Sequence, residues 1–133
     1  MTVQLSVATR TARVQAIETE AGTTPVLKVR TGAQPANCAT ADSGTVLASI
    51  TLASDWASTA SGVLTFSNAP FSDASADATG TAAHYRLYKS DGTTCVAQGS
   101  VGQGSGDLSV DNTSFVAGQT FSVTAWTITD GNA

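Results

Sequence analysis

The sequence predicts an all-β domain, an antiparallel β-sandwich or jelly roll with one short N-terminal helix. Three observations lead there. Seven short runs rich in β-branched and aromatic residues recur over positions 26–129, and Gly, Asp, Asn and Ser clusters separate them at nearly every break. One stretch near the start repeats its apolar residues at helical spacing instead. Only 12% of residues are charged and 41% are hydrophobic, which excludes a charge-rich disordered tail and suits short strands joined by tight turns. The 133 residues read as a single domain, 1–133, made of an N-terminal arm and helix (1–22) and the sandwich (23–133). A chain of this length buries about two-thirds of its unfolded surface, so a core needs no metal or disulfide.

The helix is predicted over LSVATRTARVQAIETEA, residues 5–21. Val7, Val14, Ile17 and Ala21 share a face, Ser6 is placed to cap the first turn, and Gly22 to end the last. Glu18 and Glu20 lie at the end where the helix dipole disfavours acids. After Pro25 the pattern turns to strands, beginning with VLKVR (26–30). Next comes TGAQPANCATADSG (31–44), a loop by composition and long enough to be a surface feature. Further strands are expected at TVLASITLA (45–53), GVLTFS (62–67), AAHYRLYK (82–89), TCVAQGSV (94–101), DLSVD (107–111) and QTFSVTAWTIT (119–129). In the last, Phe121, Val123 and Ala125 face one way, and Ser122, Thr124, Trp126 and Ile128 the other. Apolar groups on both faces make it a central strand, or one whose outer face meets a partner. It ends four residues before Ala133, so no functional tail is expected.

Asp91-Gly92 between two strand-like runs is a strong hairpin signal. Alternation puts Ala83, Tyr85 and Leu87 on the core face and His84, Arg86 and Tyr88 on the outer face. A two-residue turn pairs Leu87 with Val96; a three-residue turn with a bulge pairs it with Cys95. His84 is the single histidine, and catalysis by it needs a nucleophile within reach and a group to orient the ring. No Ser lies in a nucleophile elbow, and one His with two distant Cys is poor material for zinc. The hairpin is expected to pack: no enzyme, no metal, no cofactor.

Other stretches are weaker. Asp73, Ser75, Asp77 and Thr79 alternate as in a calcium loop, but Gly80 comes two places late and His84 stands where the closing Glu belongs. VGQGSGD (101–107) is glycine-rich without the Lys and helix of a phosphate cradle, and reads as a flexible hairpin connection. Asn112-Thr113-Ser114 fits the glycosylation pattern by chance when no secretory route is evident. The aromatic residues are spread over separate strands as core fillers, with Trp56 the one expected to be partly exposed. A sugar-binding module would need Trp56 or Tyr88 exposed.

A net charge of −4 with six scattered basic residues offers no patch to neutralise phosphates, which argues against nucleic acid. No run reaches the roughly 20 apolar residues of a membrane span, and the N-terminus lacks a signal-peptide pattern. The expected location is therefore a cytoplasm unless another device exports the chain. Cys38 and Cys95 form no CxxC pair, and free thiols are the expectation in a reducing compartment. The alternative is a disulfide formed late, after release into an oxidising medium.

Taken together, ATRTARVQAIETEAG (8–22), VLKVRTGAQPANCATADSGTVLASITL (26–52), DASADATGTAAHYRLYKSDGTTCVAQGSVG (73–102) and DNTSFVAGQTFSVTAWTITDGNA (111–133) resemble a family of small virion structural proteins of tailed bacteriophages. The resemblance spans nearly the whole chain. It implies a capsid cement or decoration protein that binds the major capsid protein or other virion proteins, as a homo-oligomer (dimer or trimer), in the virion and assembled in the host cytoplasm. It carries over no catalytic residues. A tail, neck or tail-tip component is the structural alternative, and a carbohydrate-binding host-attachment module a further one. Repeated weak contacts around a closed shell add by avidity. The contacting residues expected are Leu5, Arg10, Arg13, Trp56, His84, Arg86 and Tyr88, with residues 1–20 reaching the shell or a neighbouring copy.

Overall fold

The computed structural model describes residues 3–67 and 71–131; the side chain of Phe71, expected in the core, lies outside this set. Helix α1, Val7–Ala21, starts where the Ser6 hydroxyl accepts from Thr9 N and ends where Gly22, at φ 74°, donates its N–H to Glu18 O. Both caps are the ones the sequence offers. The helix buries only Val14 and Ala21, packing on strands near both halves of the sheet.

Eleven strands follow among the described residues. They are β1 Val26–Arg30, β2 Val46–Thr51, β3 Ala57–Ala60, β4 Val63–Phe66, β5 Phe71–Asp73, β6 Gly80–Thr81, β7 His84–Tyr88, β8 Cys95–Gln103, β9 Leu108–Val110, β10 Ser114–Phe115 and β11 Phe121–Thr129. The main sheet runs β2-β1-β7-β8-β9-β11-β4-β3, with β5 also on β11, while β6 and β10 form a small ribbon. The sheet curls on itself: β2 at one end of the path touches β5, and α1 packs on β3, β4 and β8.

The protein is all-β with one short helix, as expected, but the sheet is mixed. β8 and β9 run parallel, Val101 beside Leu108 and Gln103 beside Val110. Parallel neighbours ordinarily need a crossover of a dozen or more residues. Here Gly104 and Gly106, at φ 66° and 79°, fold the chain back within four residues, and Gly104 N donates to Ser109 Oγ. The connection expected to be a flexible hairpin is instead a structured reversal between parallel strands.

The Asp91-Gly92 hairpin forms in neither expected register along its full length. Tyr88 pairs with Cys95 as for a two-residue turn, then a bulge at Val96 moves Leu87 opposite Ala97. Asp91 Oδ1 accepts from Thr93 N and Thr94 N, and Lys28 Nζ donates to Gly92 O while lying 4.9 Å from the centre of the Tyr88 ring.

Trp126 centres the core. Its ring lies 5.7 Å from Trp56, 4.3 Å from Phe66 and 5.7 Å from Tyr85, and its Nε1 donates to the Tyr85 hydroxyl at 2.8 Å. Trp56, expected to be partly exposed, is buried here, with its Nε1 donating to Gly22 O at the end of α1. That bond satisfies the indole and ties the helix to the core. β11 is central, as expected. A bulge at Thr124 shifts its phase, so Trp126 joins Phe121 and Val123 in the interior instead of facing away from them.

Candidate functional site

His84, Arg86 and Tyr88 were expected on an outer face, open to solvent or a partner. All three are buried, at 1%, 2% and 0% exposure. The reason is the 31–44 loop, which folds back over that face of β1, β7 and β8 as a strap. Its base closes through Thr31 N to Thr45 O and Thr45 N to the Thr31 hydroxyl. Gly44, at φ 70°, comes so close to Thr31 O that any side chain would collide. Midway, Asn37 Oδ1 accepts from Ala39 N and Thr40 N, making a local turn. At that turn Cys38 is joined to Cys95 on β8, with the Cα atoms 5.3 Å apart. The disulfide, rather than the free thiols expected, pins the strap.

Beneath the strap the contacts are polar. Asp42 reaches down between Arg30 and Arg86: Arg30 Nη2 donates to Oδ2 at 2.8 Å, and Arg86 Nη1 and the Tyr88 hydroxyl donate to Oδ1 at 2.6 and 2.7 Å. Arg86 also donates from Nε to Gln98 Oε1 and from Nη2 to the carbonyls of Asn37 and Thr40. Gln98 Nε2 in turn donates to Pro35 O. His84 Nδ1 lies 2.9 Å from Gly32 O; a carbonyl only accepts, so Nδ1 carries the proton. Between positions 32 and 44, Pro35 is the one residue that is fully buried.

The charges settle in one arrangement. Burial alone would raise the Asp42 pKa, but hydrogen bonds from Tyr88 and Arg86 and the two guanidinium charges hold it below 3.8. His84 is held below 6.5, chiefly by burial and further by Arg30 and Arg86, against the opposing pull of Gly32 O and Asp42. Burial, then the bond to Asp42, raises Tyr88 above 10. At neutral pH the group is therefore two arginines, one carboxylate, one neutral imidazole and one neutral phenol. Ionisable side chains do converge here, but on one another. Asp42 is too well stabilised as an anion to serve as a base, and the Arg86 donors are engaged. His84 Nε2 is buried with no hydrogen-bond partner among the described residues. The arrangement holds the strap down through hydrogen bonds that its members make to one another and to strap carbonyls.

The other expected contact residues lie at the opposite end of the chain. Leu5 and Arg10 are half-buried; Arg13 is exposed and 3.3 Å from Asp130. Arg10 packs over Gly62, whose missing side chain makes room for it. Val3 and Val7, outside the expected contact set, are 73% and 52% exposed. Val7 keeps its place in the apolar helical stripe but overhangs the sheet it should cover. The expected residues thus separate into an N-terminal set, half-buried at Leu5 and Arg10 and exposed at Arg13, and a buried set under the strap, with Trp56 in the core. A cleft of about 200 Å³ lined by Ile50, Leu52, Trp56 and Phe66 belongs to neither. Asp73 Oδ1 accepts from Ser75 N in its loop, and no group of three metal-ligating residues occurs among the described residues. Comparison with protein-family models, curated proteins and solved structures finds nothing that matches this chain.

Proposed function

We propose that the protein is a structural component of a tailed-bacteriophage virion, a capsid cement protein that binds the major capsid protein and stabilises the shell. The observation that carries this reading is the overhang of the N-terminal segment. Val3 and Val7 stand in solvent beside half-buried Leu5, on an arm and helix that bury only Val14 and Ala21 against their own domain. Apolar side chains held outside the core of a weakly charged domain suit burial across a seam between other subunits. The remaining surface is rich in Ser, Thr and Ala, and few ions must leave water when it is covered. In this reading the domain is a sandwich-like β-scaffold that acts by shape, as a homo-oligomer, without catalysis or cofactor. A sugar-binding role loses its support, because Trp56 and Tyr88 are both buried.

The test uses particles. Shells carrying the protein rupture at a higher temperature than shells stripped of it, and Val3→Ser/Val7→Ser folds normally but no longer binds stripped shells. Shells that rupture at the same temperature with or without the protein exclude the cement role; density on tails places it there instead.

A further inference from the structure

We propose that the strap is a redox latch: breaking Cys38–Cys95 lets residues 31–44 lift off β7 and β8 while the rest of the domain stays folded. The inference is independent of the virion reading and rests on what holds the strap. Apart from the covalent tie, its attachments to the strands below are polar: Asp42 to Arg30, Arg86 and Tyr88, and backbone carbonyls of Gly32, Pro35, Asn37, Thr40 and Ser43 to side chains beneath. Such bonds are exchanged for bonds to water when the strap rises, so each returns far less than its gross strength. Those to Arg30, Arg86 and Asp42 resist more than the neutral ones. Apolar burial would resist lifting, and of residues 32–44 Pro35 alone is fully buried. The inner face of β7 is held by the Trp126 cluster, and no residue of 31–44 belongs to that core. A segment fastened this way opens locally at far lower free energy than the domain unfolds.

The chemistry balances with a dithiol as reductant. Two electrons and two protons pass to the cystine, giving two Cys thiols, and the reductant leaves as its own disulfide. The latch is thus loose in a compartment that keeps thiols reduced and fixed in an oxidising one. Opening brings Arg30, His84, Arg86 and Tyr88 into water together.

The two tyrosines of the chain report on it directly, since Tyr85 faces the core and Tyr88 the strap. Full-length protein is nitrated with tetranitromethane in three forms: oxidised, reduced and blocked with iodoacetamide, and as Cys38→Ser/Cys95→Ser. Peptide mass spectrometry then gives the rate at each tyrosine. The expected result is Tyr88 nitrated at least tenfold faster in both thiol-blocked and serine forms, with Tyr85 equally protected in all three. Tyr88 remaining as protected as in the oxidised protein overturns the latch, because the polar contacts then suffice. Tyr85 and Tyr88 reacting together overturns it too, because the bond then holds up the whole domain.

Discussion

Tyr85 and Leu87 turn into an apolar interior beside Trp126, whereas Arg86 and Tyr88, their neighbours on the same strand, lie under a strap with Pro35 as its lone fully buried residue. Both faces of β7 are dry, but different forces keep them so. The inner face is held by burial of large rings, which is non-directional and indifferent to salt, acid or reductant. The outer face is held by oriented donors around one carboxylate and by one covalent tie. A strand can therefore be equally buried on two sides and vulnerable on only one.

The sharpest way to break this contrast is to remove the centre of the inner face. Trp126→Ala takes away the ring that meets Trp56, Phe66 and Tyr85 and is expected to lower stability by about 3–5 kcal/mol, or to prevent folding. Urea unfolding followed by far-UV circular dichroism measures it. A loss under 1 kcal/mol means the cluster does not carry the inner face.

Arg86→Met probes the other side with a side chain of similar reach and no charge. Breaking a buried ion pair costs about 3–5 kcal/mol. Asp42 keeps a side-chain exposure of 39% and stays hydrated once abandoned, so a smaller loss of about 2 kcal/mol is expected. The distribution matters more than the size. Hydrogen exchange is expected to quicken in the strap and in the Tyr88 end of the hairpin while β11 keeps its protection. Equal loss everywhere erases the distinction between the faces.

The same contrast explains what was legible in the sequence. Local chemistry announced Ser6 and Gly22 as helix caps, the β1 limits, the Asp91-Gly92 turn and the central place of β11. Alternation along AAHYRLYK identified Tyr85 and Leu87 as interior but also placed Ala83 there, which is exposed just before β7 begins. It could not reveal that the polar face was covered too, because the cover arrives from a loop 40 and more residues earlier and is stabilised by long-range pairs such as Arg86 with Asp42. The nearest sequence signal was the length of the 31–44 stretch together with a Cys in its middle. β3, reading ASTA, and the two-residue β6 carry no strand signal of their own and exist because β4 and β10 pair with them. The parallel step at β8–β9 depends on positive-φ glycines in a run that looked merely flexible. The bulges at Val96 and Thr124 reversed alternation where a strict period of two was assumed.

The smallest effect, and the finest discriminator, is acid. His84 titrates below 6.5 in the folded protein, so as pH falls the unfolded chain takes up its proton first. Its contribution is complete above about pH 6.5 and lost as pH drops through that value toward the folded one. Asp42, held below 3.8, acts with the same sign in a lower window: its contribution is present above 3.8 and lost beneath it. Burial leads the His84 shift, while the Tyr88 and Arg86 hydrogen bonds and the two guanidinium charges hold Asp42 down. On the inner face burial pushes Tyr85 the other way, to about 12, with the neighbouring Asp107 charge acting in the same direction. Urea midpoints followed from about pH 7.5 to about pH 3 are therefore expected to fall in two steps, with the upper step abolished by His84→Asn and the lower one reduced by Asp42→Asn. Asp91, held at about 2 by bonds from the Thr94 hydroxyl and the Thr94 and Thr93 N–H groups, acts with the same sign and accounts for the rest. Above pH 10 the symmetry returns, because Tyr85 inside and Tyr88 under the strap both resist ionisation and both faces weaken together. Acid sensitivity that survives His84→Asn and Asp42→Asn combined with Asp91→Asn would place the titrating groups elsewhere and remove the strap as the weak side of β7.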